Sequence, residues 1–262
     1  MNIHPTAIVH PKAELAEDIE VQAFSIIHEH VRIGRGTVVG PHCVITGRTV
    51  IGEDNRFFSG AQIGILSQDL KHKPGLVGRT QIGDGNMFRE FVTVSASTLE
   101  HDDDEQRVTV IGDHCLFMAC THIGHDCKLG SGVIMANNSA LSGHVQVLDY
   151  VTLGGLAGVH QFCRVGTQAF IGGMSRINMD VPPYMIAEGH PARCYGPNAV
   201  GLKRHGIDKD ARATIKTMYR ILYRSGLNTS QALEEIKKSV PDCVERRTLL
   251  TFIQESTRGI LK

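Results

Sequence analysis

The chain has no tryptophan, and only 5% of its 262 residues are aromatic, so the bulky pieces of a thick two-layer core are missing. It has no excess of charge either: 27 Lys and Arg stand against 27 Asp and Glu. Bulk electrostatics therefore give no reason to expect nucleic acid or an anionic membrane surface, and an acidic partner has to be met by a local basic patch. No apolar run reaches 18 residues, so no transmembrane helix is expected. The opening Met1-Asn2-Ile3-His4-Pro5 has no basic-then-apolar signal segment. The seven cysteines are odd in number and form no Cys-x-x-Cys pair, which fits a reducing compartment better than a disulfide framework. The cytoplasm is the expected location.

What the chain does have is 28 glycines and a repeat. Every sixth residue from Ile3 is apolar: Ile3, Val9, Leu15, Val21, Ile27, Ile33, Val39, Ile45, Ile51, Phe57 and Ile63. The pattern resumes at Ile82, Phe88 and Val94, and again at Ile111, from where it runs without a break through Phe117, Ile123, Leu129 and onward to Ile177. Glycine often follows the aliphatic, as at Gly34, Gly52, Gly124 and Gly172. A period of six fits neither a helix nor a simple amphipathic strand. It fits a hexapeptide parallel β-helix, in which three short strands make one triangular coil of 18 residues and stacked coils bury a continuous core. Glycine is expected to permit the tight corners.

Two segments interrupt the repeat, residues 65–81 and 95–110, the second carrying the acidic run Glu100-His101-Asp102-Asp103-Asp104-Glu105. Loops that leave a regular scaffold are where binding groups sit, although an acidic run by itself reads as a solvated loop tip. After Asn178 the pattern changes, and Val181-Pro182-Pro183 ends the solenoid. Helical spacing predicts helices over 209–224, 230–239 and 241–256, the last with Pro241 in its first turn. The expected organisation is an all-β parallel β-helix over residues 1–188 and a small α-helical domain over 189–262.

Stacking by 18 places His125, Gly143 and Gln161 in one column, with His144 and His160 beside it and rungs about 4.8 Å apart. Acyl transfer to a hydroxyl needs a base near neutral pKa and a donor for the oxyanion. His125 suits the first task, with Asp126 to orient its ring, and the Gly143 backbone N–H suits the second. Three histidines can also hold zinc, as in the γ-class carbonic anhydrases, which use a similar solenoid, so a metalloenzyme is the alternative reading. A purely structural solenoid gives no reason for these residues to cluster.

The chain resembles the acyl-[acyl-carrier-protein]–UDP-N-acetylglucosamine O-acyltransferases over nearly its whole length. The resemblance rests on Gln68-Asp69-Leu70-Lys71, His122-Ile123-Gly124-His125-Asp126-Cys127, Ser142-Gly143-His144-Val145, Val159-His160-Gln161-Phe162-Cys163, Asp180-Val181-Pro182-Pro183-Tyr184 and Gly201-Leu202-Lys203-Arg204. It implies a left-handed β-helix, a handedness that general rules for parallel crossovers do not give. It implies His125 as general base, Asp126 as its partner and Gly143 as oxyanion donor. It also implies that His122, His144, His160 and Gln161 line the cleft, and that Gln68, Asp69 and Lys71 contact the acceptor sugar and the pantetheine arm. By the same resemblance Asn198 and Arg204 contact the nucleotide, and Gly173 lies in the region that sets acyl length. The implied partners are acyl carrier protein as donor, a UDP-sugar as acceptor, and two further copies in a homotrimer, in which a loop of one chain meets the column of its neighbour. No metal or redox cofactor is implied. Lys203, Arg204, His205, Arg212, Lys216, Arg220 and Arg224 form a basic series that would steer an acidic carrier protein.

The chain departs from the family where His-Arg-Gly-Thr is common and Ser95-Ala96-Ser97-Thr98 stands instead, and where a Glu is common and Val200 stands. His205 replaces a common second basic residue. These departures leave a second acceptor class open, an amino-sugar nucleotide that would be N-acylated.

Overall fold

The computed structural model describes residues 1–70, 72–73, 75–99 and 107–262. Among these, twenty-six short strands run from Asn2–Ile3 to Arg176–Ile177, and the expected aliphatic closes almost every one. They stack as three parallel sheets, A, B and C, of nine, nine and eight strands among the described residues. The register is that of an 18-residue coil: Asn2 pairs with Glu20, and His122 with Ala140, which in turn pairs with Gly158.

The hexad works because alternate side chains of a strand face opposite ways: the aliphatic and the small residue two places before it point to the axis, as Val133 and Met135 or Cys163 and Val165 do, and the residue between them points out. The inward column is sealed: Val39, Ile45, Ile63, Ile123, Leu141, Val147 and Leu153 are all 0% exposed. The few aromatics are spent here too. Phe57, Phe88 and Phe117 stack ring on ring at 4.8 and 4.9 Å, the spacing of the sheet itself. Each fully buried side chain of this kind contributes roughly 1.5–3 kcal/mol of transfer free energy.

The corners turn differently from expectation. The residue in the left-handed region stands three places after the aliphatic and is usually not glycine: Phe24, His42, Asp54, Phe91, His114, Asp126, His144, Tyr150 and Phe162 all have φ near +60°. The glycine directly after the aliphatic serves another need. A Cβ on Gly124 would stand 2.8 Å from the Leu141 carbonyl oxygen and 2.9 Å from the Gly143 nitrogen, so glycine there lets one coil's backbone lie against the next.

Both inserts leave the solenoid at one place, the corner between sheet B and sheet C. The first departs after the strand Gln62–Ile65 and returns on Arg79–Ile82; the second departs after Thr93–Ser95 and returns on Thr109–Ile111. His125, Gly143 and Gln161 lie on the same corner in the three coils that follow.

Beyond Arg176–Ile177 a hairpin, Met185–Gly189 and Ala192–Pro197, extends sheet A with the antiparallel pairing of its last two strands. Four helices follow: α1 (Ala199–Arg204), α2 (Lys209–Arg224), α3 (Thr229–Ser239) and α4 (Val244–Gln254). The hairpin and α1 had no expectation in the sequence. Pro241 precedes α4 instead of opening it, because Cys243 takes the N-cap and its sulfur accepts from the Arg246 N–H. The helices have a small core of their own around Leu202, Ile215, Met218, Ile236 and Leu249. They are tied to the solenoid through Asp180, whose carboxylate accepts from Arg164 N–H at 2.8 Å and Ser256 Oγ–H at 2.7 Å.

Candidate active site

The cleft at the B–C corner is about 400 Å³ and is lined by Gln68, Asp69, Ser95, His122, Gly124, His125, Ser142, Gly143 and Gln161. A larger groove, about 760 Å³, runs over the early coils of sheet C, but it is lined in part by charges already paired, Lys12 with Glu29 and Arg32 with Glu14. The chemistry converges in the smaller cleft.

His125 is the centre. Its Nδ1 lies 2.8 Å from Asp126 Oδ2. A carboxylate at that distance fixes the tautomer: Nδ1 carries the proton and donates, and Nε2 presents its lone pair to the cleft. Asp126 is itself well held. Its Oδ2 accepts from Thr98 N–H at 3.1 Å and Thr98 Oγ1–H at 2.6 Å, and its own N–H donates to Thr109 Oγ1 at 2.8 Å. Burial pushes its carboxyl up, and the hydrogen bonds from His125 and Thr98 more than cancel this, so it sits below the ordinary carboxylate range. His125 is therefore backed by a permanent negative charge.

Gly143 faces the other side of the ring. A Cβ there would overlap Nε2 and Cε1 of His125, so only glycine allows the next coil to approach this closely. In the corner between sheets C and A the N–H at the equivalent place is capped by a side chain of the next coil: Glu53 by Asp84, Asp84 by Asp113, Asp113 by Ser131 and Ser131 by Asp149, at 2.7–3.0 Å. In the site column the next coil supplies Gln161, and among the described residues no group accepts from Gly143 N–H. His125 Nε2 and a backbone N–H without an acceptor among the described residues thus meet at one spot.

The remaining residues grade outward. His144 meets the His125 ring edge-on at 5.1 Å and stacks on Phe162 at 4.6 Å, with its Nε2 3.8 Å from Asp126 Oδ2. Burial lowers its pKa against the pull of Asp126. His122, whose Nδ1 is 2.8 Å from Thr93 Oγ1, is lowered by burial and by His125. Both rings are therefore neutral hydrogen-bonding groups at neutral pH. Asp69 Oδ2 stands 3.7 Å from His125 Nε2. This loop meets the column of its own chain. Lys71 lies outside the described residues. His160 is exposed, with Nδ1 3.2 Å from the Gln161 carbonyl.

Gly173, Asn198 and Arg204 do not join this group within the chain. Gly173 is on the corner between sheets A and B. Asn198 is the buried N-cap of α1, accepting from Gly201 N–H at 3.1 Å and donating to the Gln168 carbonyl at 3.0 Å, on the corner between sheets C and A. Arg204 ends α1, exposed. Sequence reasoning gave no role to Thr98, Thr109 or Phe162. Thr98 lies within the insert and carries no periodic signal; Thr109 holds the repeat's small inward place two residues before Ile111, in register with Thr80, and nothing in that place marks it as a partner of Asp126.

Among the described residues, His125, Asp126 and His144 have ligand-type atoms within 4.8 Å of one another. They do not fit a metal. Zinc bound to both His125 and Asp126 at about 2.0–2.2 Å would hold nitrogen and oxygen about 3.2 Å or more apart at tetrahedral angles. The 2.8 Å observed is the length of a shared proton, and Asp126 Oδ2 already accepts from three donors.

Residues 109–143, which include His125 and Gly143 of this corner, match the bacterial transferase hexapeptide (six repeats). Residues 180–261 match the second domain of UDP N-acetylglucosamine O-acyltransferase. The chain is 46% identical over 263 residues to the acyl-[acyl-carrier-protein]–UDP-N-acetylglucosamine O-acyltransferase of Syntrophobacter fumaroxidans, covering 100% of both. To the enzyme of the same name from Herminiimonas arsenicoxydans it is 43% identical over 99% of both. The crystal structure of the UDP-N-acetylglucosamine O-acyltransferase of Moraxella catarrhalis RH4 superposes with a TM-score of 0.93 at 36% identity, covering 100% of both chains. The chain belongs to this family of acyltransferases, and its solenoid is the left-handed parallel β-helix of that family.

Proposed function

We propose that the chain transfers a 3-hydroxyacyl group from acyl carrier protein to the 3-OH of UDP-N-acetylglucosamine, the first step of lipid A synthesis. The observation that carries this is the meeting of His125 Nε2 with the Gly143 N–H. Nε2 takes the proton of the acceptor hydroxyl as its oxygen attacks the thioester carbonyl. The oxyanion of the tetrahedral adduct accepts from Gly143 N–H. As the adduct collapses, the C–S bond breaks and the imidazolium returns its proton to the departing pantetheine thiolate. Asp126 holds the ring and balances its charge throughout.

His122, His144, His160 and Gln161 line the approach of the reacting groups, and Gln68, Asp69 and Lys71 hold the sugar and the pantetheine arm. Asn198 and Arg204 serve the nucleotide, and Gly173 the end of the acyl chain. These last three lie on other corners of the prism, so the reading is of a homotrimer in which a neighbour brings them to the cleft. The outward face of sheet A supports it: Met87, Leu116 and Ile134 stand on three successive coils, and Phe170 and Ile186 follow beyond Thr152, as apolar outward residues. Residues 1–188 carry the chemistry and 189–262 the nucleotide and the carrier protein, for which Lys203, Arg204, Lys216, Arg220 and Arg224 are exposed on α1 and α2. The reaction is assigned to the cytoplasm, a reducing compartment that the seven unpaired cysteines fit.

The test is a product assay by mass spectrometry, with 3-hydroxyacyl carrier proteins of several lengths and UDP-N-acetylglucosamine or its 3-amino analogue. An ester on the ordinary sugar is expected. Product on the amino sugar alone would replace O-acylation by N-acylation, a change that Ser95, buried beside His122 in the cleft, would help to explain.

A further inference from the structure

The coil beneath His125 has no B–C corner, because the second insert leaves where that corner would be. In the coils above, the left-handed residue of this corner gives its N–H to the coil below: His144 to the His125 carbonyl at 2.9 Å, and Phe162 to the Gly143 carbonyl at 3.3 Å. Asp126 occupies the same place with φ +59°. Its N–H goes instead to Thr109 Oγ1, on the strand by which the insert returns, at 2.8 Å. Its carboxylate is held by Thr98, on the segment by which the insert departs. Two Thr98 donors and His125 Nδ1 all converge on the single oxygen Oδ2.

That oxygen has a second imidazole within reach, His144 Nε2 at 3.8 Å. A carboxylate between two rings has two stations. If it turned to His144, His125 Nδ1 would lose its acceptor, and the tautomer that leaves Nε2 free for the reaction would no longer be favoured. Thr98 and the Asp126 side chain are each 7% exposed, so solvent has little access to take over the hydroxyl's part.

We propose that Thr98 is a positioning residue for the acyl transfer: its hydroxyl holds the Asp126 carboxylate on His125 and away from His144. The proposal rests on the general-base reading of His125. It also gives the insert a purpose beyond its loop, since its two ends build the support for the base.

The experiment measures kcat, KM and melting temperature of the full-length protein, with 3-hydroxyacyl carrier protein and UDP-N-acetylglucosamine, for Thr98→Val and Thr98→Ser. Each is made alone and on Asp126→Ala, beside His125→Ala. The expected result for Thr98→Val is a loss of kcat of about 10–100-fold, the scale of one hydrogen bond to a charged group, with KM and melting temperature nearly unchanged. Serine should restore kcat to within about threefold, and on Asp126→Ala the valine should add less than about twofold, because nothing is left to position. Thr98→Ala repeats the test with a smaller side chain if valine crowds the site. Full kcat in Thr98→Val beside an inactive His125→Ala overturns this proposal alone, as does an equal loss in both backgrounds. Full activity of His125→Ala overturns the general-base reading and this proposal with it.

Discussion

Replacing Gly143 by alanine separates the two tasks assigned to this residue. The N–H remains, and Gly143 does not sit at positive φ, so the backbone accepts a side chain without strain. What changes is space. The new methyl would overlap Nε2 and Cε1 of His125 and lie 3.0 Å from its Cδ2, where ordinary contact begins at 3.4 Å. Clearing the overlap moves the ring by roughly 1 Å, and a misplacement of that size costs on the order of 10²-fold in rate. The same movement stretches the 2.8 Å bond to Asp126, a charge-assisted bond of about 1.5–3 kcal/mol, so part of the ring's orientation goes with it. Gly143→Ala should therefore lower kcat by about 10²–10³-fold, leave KM for the nucleotide within a few-fold, and leave the melting temperature within a few degrees. Steady-state turnover by mass spectrometry and a thermal melt on the same sample are sufficient. A variant that keeps more than about a third of the activity would refute the close approach of base and donor on which the mechanism rests.

Three further expectations follow from the same geometry. Asp126 has a folded pKa below its ordinary 3.8, so its contribution to stability is present above that value and is lost as pH falls through the folded one; urea titrations at descending pH should show a steeper acid loss in the wild type than in Asp126→Asn, and parallel curves would contradict the bonding around the carboxylate. Phe117→Ala empties a fully buried place against Phe88 and should cost about 3–5 kcal/mol in urea denaturation, with a value under about 1 kcal/mol showing that the column repacks. Asn198→Ser keeps an acceptor for the cap on α1 but loses the donation to the Gln168 carbonyl, whereas Asn198→Ala loses both; the alanine should be less stable than the serine by about 1 kcal/mol, and equal stabilities would remove the capping role from this residue.

The low aromatic content and the spacing of six carried a great deal of information. They specified a narrow core, nearly every strand and the 18-residue register, because a hexad places the same two side chains in six on the axis whatever the rest of the chain does. Since the register is arithmetic, the column of His125, Gly143 and Gln161 followed as well, and Lys209–Arg224 emerged where its stripe of Ile215, Met218 and Leu222 demanded. Short elements without a period, such as α1 and the hairpin, left no comparable trace.

Which residue turns the corner was decided by the backbone of neighbouring coils. Glycine lies where two backbones nearly touch, and the left-handed place is taken by whatever residue the site needs there, Asp126 among them. The support for that carboxylate was likewise invisible in one dimension. Thr98 stands 28 residues from Asp126 and belongs to no repeat, and Thr109, 17 residues away, holds a place in the repeat that says nothing of its bond to Asp126. The chain by itself determined the solenoid and the column on its corner, because both depend only on counting. The tertiary structure alone decided what holds the base in place, because two inserts leaving at one corner replace backbone partners by side chains, and no spacing in the sequence records which ones.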